Sequence, residues 1–170
     1  EIHAKELIRV FVDSAVSSAT IMFIIACAAV YAWIMTTSGV AADLSAAILS
    51  ISENKIMILC IINIIFLIAG CFLDANSAFY ILLPIITPVL ASLGVNMVHA
   101  GVFLTVNMAI GLVTPPVGIN LYVGCKAGDV SVGEICRKIV PFLIAGIVSL
   151  VRITYIEPIS MVLPRLLGQA

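Results

Sequence analysis

Charged residues are so sparse along this chain that they act as punctuation, leaving neutral intervals at 14–42, 56–73, 75–125 and 139–151. A helix needs about 20 mostly apolar residues to cross the hydrocarbon core of a bilayer. The pattern therefore predicts at least four membrane elements. Residues 1–12 set Ile2, Leu7, Ile8 and Phe11 against Lys5, Glu6 and Arg9, which suits a helix lying along the interface. A first full span follows over 12–38 and stops at Gly39. An amphipathic piece over 41–52 leads to Ser52, Glu53 and Asn54, polar caps for the next apolar run.

The runs 55–73 and 78–93 flank Asp74, Asn76 and Ser77; the second is the shorter, and Pro84 and Pro88 bend it. They form either two full crossings or a re-entrant hairpin whose tip lies at membrane depth. With solvent at the turn, Asp74 is an ordinary surface acid. The stretch 96–125 is too long for one crossing at about 1.5 Å per residue unless it is tilted or interrupted, and His99 near its start reads as interfacial. A polar connection over 126–138, with Ser131 placed to cap a short helix, precedes the last span at 139–156 and an amphipathic, interfacial tail.

Composition sharpens this picture: of 170 residues, 63% are hydrophobic and 10% charged, against about 45–50% and 25% in a soluble domain. The fold class is all-α integral membrane protein, with membrane lipid as its surroundings. Eight Lys and Arg against nine Asp and Glu leave a net charge of −1, so no basic face exists for a nucleic acid. Lys5, Arg9, Lys126, Arg137 and Lys138 fall on one side of the predicted spans and Lys55 and Arg165 on the other. The positive-inside rule puts the larger set in the cytoplasm. The five cysteines, scattered in apolar context, read as buried packing residues. EIHAKELIRV has neither the apolar core nor the cleavage site of a signal peptide, and the chain reads as part of a longer one.

Two short stretches carry the candidate chemistry. In GLVTPPVGIN, residues 111–120, the prolines lack N–H groups, which leaves the carbonyls of Gly111 and Leu112 without helical donors. Residues before proline turn extended. The helix must end and restart, and unpaired carbonyls, at several kcal/mol each in hydrocarbon, survive only within protein or along a cavity. The first half then offers carbonyls to a small cation, while the second, starting near Pro116, offers the N–H groups of Val117, Gly118, Ile119 and Asn120 to an anion. A bland packing kink is the alternative. Thr114, Asn107 and Asn120 add polar groups near the break, with Pro115, Pro116, Asn120 and Asn107 as candidates to face a substrate. The second stretch is LDANSA. Asp74 is the only acid between Glu53 and Asp129, Asn76 or Ser77 can cap the next helix, and three hard oxygen donors within four residues suit an alkali cation.

FLDANSAFYILLPIITPV, GVFLTVNMAIGLVTPPVGINLYV and IVPFLIAGIVSLVRITYIEPISMVLPRLLG, in this order and spacing, resemble the C-terminal part of the large membrane subunit of tripartite ATP-independent periplasmic (TRAP) transporters. The resemblance implies the second inverted repeat of an elevator-type ion transporter fold: a Na⁺-driven secondary transporter in the bacterial inner membrane. Its cargo would be an organic acid anion, such as a C4-dicarboxylate or sialic acid, handed over by a periplasmic substrate-binding protein, with a small membrane subunit as partner. No cofactor is implied beyond Na⁺ as coupling ion. Asp74, Asn76 and Ser77 match the hairpin tip; Gly111, Thr114, Pro115, Pro116 and Gly118 match the break; together with Leu112 they are the expected Na⁺ site. Residues 1–38 would belong to a scaffold, 39–54 to a connection, 55–94 to the hairpin and 95–126 to the discontinuous helix of the transport unit, and 127–170 again to the scaffold. Arg152 departs from an apolar last span and must snorkel or pair, for instance with Glu157.

Other classes fit less well. A membrane-embedded enzyme lacks support, because His3 and His99 are far apart, no H-E-x-x-H or G-x-S-x-G occurs, and Ser77 has no histidine nearby. A purely structural membrane subunit would be indifferent to substitution of Thr114 or Asp74.

Overall fold

The computed structural model describes residues 4–51 and 54–168, and these form helices without strands. The elements are α1 (Ala4–Thr37), α2 (Val40–Ile51), α3 (Lys55–Phe72), α4 (Ala75–Ser92), α5 (Met97–Gly111), α6 (Ile119–Gly128), α7 (Val132–Tyr155) and α8 (Glu157–Leu166). By length and composition, α1, α3 and α4 are each able to cross a membrane, and the α7–α8 pair, bent by 68°, counts as a fourth when taken as one broken span.

Local chemistry explains most boundaries. Gly39 takes a left-handed φ of 77° and turns the chain from α1 into α2. Asn54 caps α3, its Oδ1 accepting the N–H of Ile56 at 2.9 Å; Ser52 and Glu53 lie outside the described residues. Ser131 caps α7 through the N–H of Glu134 at 3.3 Å, as its position suggested.

Three expectations give way. Residues 4–12 do not form a separate helix, and residues 1–3 lie outside the described residues: from Ala4 the chain runs on as one 34-residue helix, about 51 Å long. No proline or glycine interrupts it, and Arg9 pairs with Asp13 along one face at 3.9 Å. The helix after Asp74 is not the shorter one, since α3 and α4 both have 18 residues and α4 continues through Pro84 and Pro88. Nor is there a short helix before the last span. Once capped at Ser131, α7 persists for 24 residues through Pro141.

The core forms where α3, α4, α5 and α7 converge, with Ile58, Ile62, Phe66, Val89, Leu90, Phe103, Leu104 and Met108 fully enclosed. Packing is most extensive between α3 and α5; α4 lies mainly against α1 and α2, and α5 also meets α7 and α8. Phe66 and Phe79, with centroids 6.0 Å apart, join α3 to α4 near their turn. On α1, Phe11, Met22, Phe23 and Trp33 remain exposed.

Side-chain placement corrects the reading of the cysteines and adds detail to two others. Cys71 is buried, but Cys27 and Cys60 are exposed and Cys125 and Cys136 half-buried; the outside of a membrane helix is as apolar as its inside, so context does not tell them apart. His99, in the first turn of α5, is 4% exposed. Its Nδ1 lies 2.5 Å from Ser160 Oγ and its Nε2 3.2 Å from the Thr154 carbonyl, partners that offset the cost of burying the ring. Arg152 stays exposed, and Glu157 pairs instead with Arg165 at 3.6 Å.

Candidate functional site

The first part of the site is the turn between α3 and α4. Leu73 closes α3 by donating its N–H to Ala69 at 2.8 Å. Asp74 then takes the extended conformation of an N-cap, and its Oδ2 accepts the N–H of Ser77 at 3.0 Å. The cap is therefore Asp74, not Asn76 or Ser77 as the sequence suggested. Those two residues occupy the first turn of α4, Asn76 exposed and Ser77 half-buried. A carboxylate here meets the positive end of α4, an interaction of about 0.3–1 kcal/mol at the surface.

The second part is the break at 112–118. Helix α5 tightens as it ends, with Val113 N–H on Ile110 O at 3.2 Å and Thr114 N–H on Gly111 O at 2.9 Å. Across the break, Asn120 N–H reaches Leu112 O at 3.1 Å. The two carbonyls expected to lack donors are thus both satisfied: one by a local turn, the other by the restarted helix, which begins at Ile119 rather than near Pro116. Of the N–H groups assigned to an anion, those of Gly118 and Asn120 are already engaged. Pro115 is half-buried, while Pro116 and Asn120 are exposed.

Thr114 is half-buried and donates its hydroxyl proton to Ile110 O at 2.6 Å. Its oxygen keeps lone pairs for a further partner. Gly118 has φ 46° and ψ 76°, and a Cβ there would lie 2.9 Å from both Thr114 O and Leu121 Cδ1. Only glycine suits that corner.

Tip and break are held beside one another. Gly118 N–H donates to Cys71 O, three residues before Asp74, at 3.2 Å. Just below, α3 and α5 touch backbone to backbone: a Cβ on Gly111 would come within 2.7 Å of Gly70 Cα. The two interrupted segments, 40 residues apart in sequence, therefore lie at one level of the bundle.

Asn107 is placed differently from the expectation that it faces a substrate. It is fully buried one turn before Gly111, and its Nδ2 donates to Asn63 O at 2.9 Å and Asn63 Oδ1 at 3.0 Å. Asn63 in turn donates to Thr154 Oγ1 at 3.1 Å. Neither Asn63 nor Thr154 was singled out from the sequence, although Asn63 is the one amide within the neutral run 56–73.

The family model described as the DctM component of tripartite ATP-independent periplasmic transporters matches residues 1–159. The chain belongs to this family. Over 170 residues it is 34% identical to the C4-dicarboxylate TRAP transporter large permease protein DctM of Pseudomonas aeruginosa, covering all of this chain and 40% of that protein. It is 37% identical to the uncharacterized protein YgiK of Salmonella typhimurium, over 98% of this chain and 38% of the relative. With the sialic acid TRAP transporter large permease protein SiaM of Vibrio cholerae the identity is 28%, over 94% and 37%. The chain thus spans about 40% of the length of such relatives. The family is one of transporter permeases rather than enzymes, and several apolar helices make the chain a multi-pass membrane protein.

Proposed function

We propose that this chain forms part of a Na⁺-coupled secondary transporter of the bacterial inner membrane. It imports organic acid anions of the C4-dicarboxylate or sialic acid type, delivered by a periplasmic substrate-binding protein, with a small membrane subunit as the third component. The observation that carries this reading is the seating of the α3–α4 turn beside the α5–α6 break through Cys71 O and Gly118 N–H. With α5 and α6 as two halves of one crossing, the break lies inside the membrane, and the turn beside it becomes the tip of a re-entrant hairpin.

Na⁺ is cargo here, and the donors at hand suit it: the Thr114 hydroxyl oxygen, the Ser77 hydroxyl and Asn76 amide oxygen at the tip, the Asp74 carboxylate, and backbone carbonyls of the break beyond Leu112. These are hard oxygen ligands. Gly111, Leu112 and Gly118 shape the loop that presents them, and Pro115, Pro116 and Asn120 face the anion. Because α7 and α8 are bonded to α3 and α5 through Thr154 and Ser160, we group them with the moving unit and leave α1 as scaffold. An elevator motion then carries the site across as one body.

The test uses the complete transporter with its receptor in proteoliposomes. Thr114→Ala raises the Na⁺ concentration for half-maximal uptake by roughly two- to tenfold, the loss of one neutral ligand at about 0.5–1.5 kcal/mol. Pro115→Ala with Pro116→Ala abolishes uptake even at high Na⁺. An unchanged Na⁺ dependence in Thr114→Ala, with normal membrane insertion, returns the double proline to a packing kink.

A further inference from the structure

Asn63 and Asn107 form a polar contact in the centre of an apolar core, and it is an incomplete one. Both protons of the Asn107 amide point at Asn63, while its Oδ1 is buried and receives no hydrogen bond. Turning the amide over would set its oxygen against the two oxygens of Asn63, so the orientation is fixed by its neighbour. An unpaired buried acceptor is costly, whereas a pair of apolar side chains of the same shape would carry no such cost. Cohesion alone therefore does not account for this pair.

Its position supplies a reason. Seven residues along α3 from Asn63 is Gly70, four along α5 from Asn107 is Gly111, and these glycines are in backbone contact. The glycine contact sets how closely the two helices approach, and the apolar packing along them is non-directional. A second, directional contact about 6–10 Å away fixes the crossing, and Thr154 secures Asn63 from the side of α7. What the crossing controls lies one step further on: the Cys71–Gly118 bond that sets the hairpin tip against the break.

We propose that Asn63 and Asn107 are positioning residues for the cation site, holding α3 and α5 at the one crossing that brings the oxygen donors of tip and break to the same ion. This rests on the proposed ion site, and the experiment separates the two. In the complete transporter, the double variant Asn63→Leu with Asn107→Leu unfolds at a temperature close to that of the unaltered protein, yet its Na⁺ requirement for half-maximal uptake rises roughly tenfold or more, as when the supports of metal ligands are removed. Thr154→Val, which removes only the hydroxyl that holds Asn63 and preserves its volume, gives a smaller rise of roughly twofold or more and serves alone if the double variant fails to fold. Loss of thermal stability with an unaltered Na⁺ requirement in these variants overturns the proposal. If Thr114→Ala shifts the requirement and they do not, the positioning role is wrong and the ion site stands; if none of the three shifts it, both fall.

Discussion

The tip and the break interrupt helices at the same level of the bundle, and they are built by opposite means. At the tip a side chain does the closing: Asp74 accepts the N–H of Ser77, and the following helix starts at once. At the break the backbone closes on itself, through Thr114 N–H on Gly111 O and Asn120 N–H on Leu112 O, with glycines where no side chain fits. A turn capped by a side chain is readily altered by changing that side chain. A turn made of main chain is sensitive to any atom placed in its way, so the two regions differ in what they tolerate.

Substitutions ranked by effect probe that difference. Gly111→Val, whose Cβ would fall 2.7 Å from Gly70 Cα, forces α5 away from α3; a loss of folding stability of about 3 kcal/mol or more is expected, measured by chemical unfolding of the complete protein in detergent. A smaller loss shows that α3 gives way and that the contact is not rigid. Asp74→Ala removes the cap and lowers stability by about 1 kcal/mol, while Asp74→Asn retains the capping oxygen and loses a few tenths of that or less. Equal losses for the two would mean that the charge, not the hydrogen bond, holds the tip. Asn76→Ala, at an exposed position, changes stability by less than about 0.5 kcal/mol. A larger change assigns Asn76 a structural contact that its exposure argues against.

What was legible in the sequence follows from the same contrast. Spans, two of the caps and the break are written in local chemistry: neutral intervals, Asn54 and Ser131 before helices, two prolines inside an apolar run; the cap at the tip was expected at Asn76 or Ser77 and is Asp74. Their consequences in space are not. That Leu112 O finds the N–H of Asn120 depends on how the chain turns back at Gly118, and no rule about proline gives that partner. Asn107 was legible as polar and misplaced as substrate-facing, because its partner is Asn63 on a different helix. Nothing local to His99 gives its partners, Ser160 and the end of α7, which meet it from beyond the bend. Pro141 does not break α7, since proline removes one donor and leaves the rest of the ladder to hold the helix.

The meeting of Gly70 with Gly111 has a mechanical consequence. Most helix pairs touch through side chains, which absorb small shifts by changing rotamer, so that a movement on one helix reaches the other late and diminished. Here main chain lies against main chain, and there is no rotamer to give. The contact has almost no slack: a displacement of the hairpin arm by a few tenths of an ångström arrives at the broken helix at nearly its full amplitude. In the terms of a machine, these two glycines are a bearing seated without clearance, and a methyl group added to either would force its two surfaces apart.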